Sequence, residues 1–211
     1  MKDKGMGGAD IWDVRAYINP DQMISPGPEF LGDESVRAIA HALRQAKRLG
    51  LSMGMIAASG WNAGGTWVEP TDAGKGLFHS QVSVEGPTTF SQVLPFPDVP
   101  KNCPKDSGGR PLYFKEVAVL AVPQEDGQTL KSTESVIDLS KYYDKEERLI
   151  WEVPDGKWMI LRFVMTNTGY QLISTSQNSG GPMIDFLNPA STRMHFGHIM
   201  DRLESELGDL N

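Results

Sequence analysis

Leu51-Ser52-Met53-Gly54-Met55-Ile56-Ala57-Ala58, followed directly by Ser59-Gly60-Trp61-Asn62-Ala63-Gly64-Gly65-Thr66-Trp67-Val68-Glu69-Pro70, is the stretch that decides how this chain is built. Its first eight residues carry no charge and read as a strand covered on both faces. The next twelve hold three glycines and a proline, which end the strand and forbid a helix. Two tryptophans six positions apart in such a loop suit a sugar. Indole faces pack on the C–H face of a pyranose, while Asn62, Thr66 and Glu69 can address hydroxyls. The same tryptophans equally suit a structural loop that they anchor. Both readings stand at this point.

Upstream, Gly7–Val14 (GGADIWDV) reads as a strand, and Asn19-Pro20 and Ser25-Pro26-Gly27-Pro28 as loop. Asp33 is placed to cap a helix running to about Leu49, with Val36, Ile39, Ala40 and Leu43 as its buried stripe and Gly50 as its stop. Strand, helix and strand at these lengths predict a right-handed βαβ unit with parallel strands. Met1–Gly5 reads as the last turn of a helix, which fits an internal methionine of a longer protein as well as a short N-terminus.

Downstream the pattern changes. From Phe78 to Val164 apolar and polar residues alternate as in antiparallel sheet, with strands expected at Gln81–Val84, Tyr113–Val122, Glu134–Leu139, Leu149–Val153 and Trp158–Val164. Pro154-Asp155-Gly156-Lys157 reads as a turn between the last two, and Lys101–Arg110 as a surface loop. Phe114, Val117, Val119, Ile137, Trp151 and Trp158 are the expected core. The α/β pattern returns near Gly180. Pro182–Phe186 reads as a short strand or strand end. Asn188 and Pro189 open a helix to about Leu207, with Phe196, Ile199, Met200, Leu203 and Leu207 as its buried stripe. The expected organisation is residues 1–77, a β module at 78–165, and a return to the first pattern at 166–211.

The chain has 211 residues, of which 39% are hydrophobic and 22% charged, as in ordinary globular proteins. Its net charge of −7 and the lack of a basic run argue against a nucleic-acid partner. No apolar run is long enough for a membrane span, and no signal peptide is visible. Cys103 is the only cysteine, so no internal disulfide exists.

Three places follow strand ends, where α/β proteins put their chemistry. They are Asp13, Arg15 and Tyr17; the Ser59–Glu69 loop; and Asp185 with Asn188. Asp13, Arg15, Trp61, Asn62, Trp67, Glu69 and Asp185 are therefore the candidate substrate-binding residues. Asp13, Glu69 and Asp185 are the fallback carboxylates for acid–base work. Other roles compete: Asp13 with Arg15 as a loop ion pair, and Asp185 as support for a helix N-terminus. Their spacing identifies no acid and base pair. His195 and His198 lie at i, i+3, but without cysteine or an HExxH pattern they read as exposed or half-packed side chains rather than ligands. Asp10 and Asp13 fall short of the six to eight oxygens calcium requires.

The succession GGADIWDV, SPGPEF, a helix ending RLGL, then SGWNAGGTWVEP resembles glycoside hydrolase family 106, the α-L-rhamnosidase-like enzymes. VEGPTTFSQVLPFP, YFKEVAVLAVP, VIDLS, WEVPDGKWMILRF and IDFLNPASTRMHF continue the resemblance over essentially the whole chain. It implies an α/β fold, a partial (β/α)8 TIM-like barrel with an inserted antiparallel β module. It also implies a bacterial, secreted or periplasmic parent enzyme that removes terminal L-rhamnose, or a similar sugar, from plant or bacterial polysaccharide by inverting acid–base hydrolysis, and that can use calcium. The catalytic glutamates are then expected beyond Asn211, the remainder of the parent chain is a partner, and this chain alone is an inactive piece. Residues Gln171–Gly181 depart from the His- and Pro-containing loop associated with rhamnosidases. The alternative is a non-catalytic carbohydrate-binding protein using the Trp61–Trp67 loop.

Overall fold

A computed structural model describes residues 1–16, 21, 23–124, 132–177 and 179–208. Tyr17, Asn19 and Pro20, named above, lie outside the described residues. The chain divides into two compact units, Met1–Gly74 with Gly169–Asn211, and Lys75–Thr168.

In the first unit, strand β1 (Gly8–Asp13) pairs in parallel with β2 (Ser52–Ser59), and helix α1 (Asp33–Leu49) connects them. This is the βαβ unit the sequence predicts. Gly32, not Asp33, is the N-cap; Asp33 is the first helical residue and forms an ion pair with Arg202. Gly50 ends α1 at φ 63°, and its N–H reaches the Ala46 and Lys47 carbonyls, a closure that needs the left-handed region glycine tolerates. The parallel register slips between Ile11 and Asp13: Ile11 faces Met55, but Asp13 faces Ser59. Without that slip Asp13 would stand beside Ala57.

Helix α2 (Pro189–Leu207) starts as expected, with Asn188 Oδ1 accepting the Ala190 N–H at 3.0 Å and Pro189 in its first turn. Its buried face is Ser191, His195, Ile199 and Leu203, whereas Phe196 and Met200 are 51% and 42% exposed. Two polar anchors set this rotation and correct the expected stripe. Ser191 Oγ donates to Asp72 Oδ1 at 2.8 Å, and His195 Nε2 bonds the Ala57 carbonyl at 2.8 Å. Phe30, Leu31, Val36, Ile39, Ile199 and Leu203 form the core of this unit, with Ile11, Met55 and Ala57 packed against it. Full burial of one such side chain contributes about 1.5–3 kcal/mol.

One expectation needs correction here. Ile56 is 43% exposed while Ala58 on the same face is buried, so β2 is covered on both faces only at its C-terminal end. The described residues form a mixed α/β fold with two separate sheets; the parallel sheet has two strands, and the expected partial (β/α)8 barrel is represented among the described residues by that one βαβ unit. Pro182–Phe186 joins its neighbours through isolated antiparallel bridges, Met183 to Gly64 and Ile184 to Ala73.

The second unit is an antiparallel sheet in the order β3 (Lys75–Val93), β6 (Arg148–Asn167), β4 (Phe114–Pro123), β5 (Ile137–Asp138). Pro154–Lys157 is not a turn. It belongs to β6, which runs unbroken through it opposite Gly86–Thr88. Gly86 faces Gly156 while Thr88 faces Val153, so β6 carries one extra residue there. That residue reverses the burial parity: Leu149, Trp151 and Val153 point inward before it, and Ile160, Arg162 and Val164 after it. Both halves therefore serve one face. A second bulge sits in β4 between Glu116 and Ala118. It leaves Val117 52% exposed, and Phe114 is 38% exposed, so neither joins the expected core. Val119 and Trp151 are buried in it, and Ile137 and Trp158 pack against it.

Arg162 lies at the centre of this unit, 1% exposed. It contacts Glu116 at 2.5 Å, Glu147 at 3.0 Å and the Leu94 carbonyl at 3.0 Å, with the Phe96 and Tyr143 rings 5.1 and 5.3 Å away. Burial pushes the Tyr143 phenol up to about 12.

Candidate functional site

The register slip of β1 creates the first cluster. Asp13 Oδ2 accepts from Ser59 Oγ and, at 2.7 Å, from Ser176 Oγ. Ser59 Oγ in turn accepts the Ser176 N–H at 3.0 Å, and Ser176 bonds Ser179, which accepts the Phe30 N–H at 2.9 Å. One carboxylate thus ties the strand end to the 173–179 loop and to the entry of α1. Among the described residues no ion pair joins Asp13 to Arg15, which disposes of that reading. Arg15 is exposed, and its N–H donates to the Ser174 carbonyl at 3.1 Å.

Beside Asp13, Gly60 N–H donates to the Asp13 carbonyl at 2.8 Å, and Trp61 N–H to the Ile173 carbonyl at 3.3 Å. The Trp12 indole N–H donates to the Gly60 carbonyl at 2.8 Å, and its ring meets Trp61 edge to face at 4.5 Å. The two rings are 45% and 50% exposed. Trp12 is a residue the sequence reading missed. Its place at the end of a strand, one position before Asp13, was the available signal.

Trp67 goes the other way. It packs into the unit's core and stacks on His198 at 4.3 Å and His195 at 5.7 Å. Its indole N–H has no partner among the described residues. His195 is fully buried, against the expectation of an exposed or half-packed side chain. The Ala57 carbonyl can only accept, so Nε2 carries the proton and Nδ1 has no partner among the described residues. Burial holds this imidazole below its ordinary 6.5; the Ala57 bond opposes the shift, and His198 adds to it.

Glu69 is exposed and closes a turn, its carbonyl accepting from Asp72 and Ala73 N–H at 2.9 Å each. Asp185 N–H donates to the Asp72 carbonyl at 2.7 Å, and its side chain accepts the Leu187 N–H at 3.1 Å. Glu69 and Asp185 therefore share the neighbourhood of Asp72. The candidate residues separate into three neighbourhoods: Asp13, Arg15 and Trp61; Trp67 with the two histidines; and Glu69 with Asp185. Asn62 is half-buried in the loop after Trp61. Among the described residues, no three His, Cys, Asp or Glu side chains gather to hold a metal ion. No described helix is long and apolar enough to cross a membrane.

A solved rhamnosidase from Novosphingobium sp. PP1Y has the same fold over 99% of this chain, with TM-score 0.65 and 16% identity. A protein of Formosa agariphila provisionally named a beta-glucuronidase is 24% identical over the full chain. The chain spans 34% of the first and 19% of the second. The model of the glycoside hydrolase 106 family, described as alpha-L-rhamnosidase, matches residues 1–123 and 107–210, and the chain belongs to that family.

Proposed function

We propose that this chain supplies sugar-contacting elements of a glycoside hydrolase that removes terminal L-rhamnose, or a similar sugar, from plant or bacterial polysaccharide by inverting acid–base hydrolysis. The observation that carries the reading is the half-exposed Trp12–Trp61 pair beside Asp13 at one end of β1 and β2, in a chain of this family. The Trp12 indole, bonded to the Gly60 carbonyl, and the Trp61 ring packed edge to face on it form an apolar surface for a pyranose, and ordered contacts cost little entropy on binding. In the whole enzyme, residues 78–165 would be a β module inserted in a (β/α)8 barrel that works outside the cytoplasm. Inversion places two carboxyl groups about 6.5–9.5 Å apart. By family resemblance that pair lies on βα units outside this chain, with Asp13, Glu69 and Asp185 as the fallback.

One observation favours a second reading, saccharide binding without turnover: two serine hydroxyls occupy Asp13 Oδ2, which suits a positioning role better than proton transfer. L-Rhamnose titration of this chain, followed by tryptophan fluorescence, tests the site. Aryl α-L-rhamnoside kinetics on a full-length family enzyme, with the residue aligned with Trp61 changed to alanine, test the reaction. Lost turnover supports the hydrolase, unchanged kinetics with intact rhamnose binding supports the second reading, and no rhamnose response removes both.

A further inference from the structure

We infer that the cleft beside Arg15 takes a carboxylate-bearing sugar of the uronic acid class, an inference that rests on the saccharide-binding reading above. The cleft holds about 530 Å³, and Arg15, Ile24, Ser25, Pro26, Ser176 and Gln177 line it. Its polar side chains are a guanidinium, two hydroxyls and an amide. No carboxylate is among them, and the Ser176 hydroxyl already donates to Asp13. Arg44, Arg110, Arg162 and Arg202 each contact a carboxylate, whereas Arg15 contacts none among the described residues. The nearest carboxylate in sequence, Asp13, is held by Ser59 and Ser176 instead. In a chain of net charge −7, this leaves a guanidinium without a carboxylate partner in a concave polar site.

Guanidinium presents a planar fork that fits a carboxylate with two parallel bonds. A neutral hexose offers hydroxyls, which bind well where both donors and acceptors line a site. The serine hydroxyls and the Gln177 amide both donate and accept, so the preference for an anion comes from the Arg15 guanidinium, which can only donate. The backbone bond from Arg15 N–H to Ser174 fixes the arginine beside the loop that carries Ser176 and Gln177. Ile24 and Pro26 supply an apolar wall for the C–H face of the ring.

The test compares methyl β-D-glucuronide with methyl β-D-glucopyranoside, which differ only in carboxylate against hydroxymethyl at C6. Calorimetric titration of the full chain should give about tenfold or greater preference for the uronide at low salt. Arg15→Gln should bring the two affinities together, and Arg15→Lys should keep part of the gap because it keeps the charge without the fork. Circular dichroism of each variant checks that the exposed substitution leaves the fold intact. Equal affinities for the two glycosides, or a preference that survives Arg15→Gln, would overturn the inference while leaving sugar binding in place. Failure of both glycosides and of L-rhamnose to bind would remove the sugar site as well.

Discussion

Trp12 and Trp61 meet with ring centroids 4.5 Å apart and planes at 86°, and the Trp12 indole N–H is fixed to the Gly60 carbonyl at 2.8 Å. Trp61 is thereby buttressed from one side while half of it faces solvent. Trp61→Ala should weaken saccharide binding by about 1–3 kcal/mol, scaled from aromatic burial and stacking. Trp12→Phe keeps an aromatic edge but loses the hydrogen bond, so its loss should be smaller. Fluorescence titration with L-rhamnose measures both; unchanged affinity in Trp61→Ala returns that ring to a packing role.

Gly60 is the hinge of this arrangement. Its φ is 81°, and a Cβ added there would lie 2.2 Å from the Ile173 carbonyl oxygen. Gly60→Ala should therefore cost at least about 1–2 kcal/mol for the left-handed backbone alone. It should also displace Trp61 by pushing on the 173–176 segment. A lower melting temperature together with weaker sugar binding is expected. A variant with native stability and affinity would show that the loop relaxes freely.

The local parts of this fold were legible in the sequence, and the non-local parts were not. The α1 stripe and the Asn188–Pro189 start of α2 follow from periodicity and capping, which act within a few residues. The continuity of β6 depends on Gly86 lying opposite Gly156, a pairing 70 positions apart that no turn signal encodes. The Asp13 cluster needs a two-residue register slip between β1 and β2 and serines from beyond position 170. Spacing could place Trp61 and Trp67 on one loop, but it could not say which faces inward. That was decided by His195 and His198, which α2 brings under the Trp67 ring.

His195 gives a pH dependence with a definite sign. Its folded pKa lies below the ordinary 6.5 because burial penalises the imidazolium. Between the folded and unfolded values the unfolded chain binds more protons, so acid favours unfolding. This stability is fully present above about pH 6.5 and is lost as pH falls through that value towards the folded pKa. The groups facing the ring among the described residues are the Ala57 carbonyl, Trp67, Phe196 and His198; among these only His198 can add positive charge. Urea unfolding from pH 8 to 5 should show the decline, and His195→Asn should flatten it at the cost of stability at pH 8. A slope unaffected by His195→Asn would assign the effect to other groups.

Arg162 should dominate the stability of the β unit. Its guanidinium is 1% exposed, yet it is satisfied on every side by Glu116, Glu147 and the Leu94 carbonyl. Such a pair adds little over a well-packed apolar substitute, because desolvation offsets most of the attraction. Removing one partner is different, since the abandoned charges remain. Glu116 and Glu147 keep partial access to water, with side chains 36% and 24% exposed. Arg162→Met should accordingly cost about 3 kcal/mol, the low end of the range for breaking a buried ion pair. Arg162→Met with Glu116→Gln and Glu147→Gln should recover part of that loss, because no unpaired carboxylate is left behind. Arg110→Met, which removes a half-exposed partner of Glu147, should cost less than Arg162→Met. Chemical denaturation of the four proteins, followed by the fluorescence of Trp151 and Trp158 in the same core, measures the order. A triple variant less stable than Arg162→Met alone would mean that the carboxylates hold the strands through contacts other than their charge on Arg162.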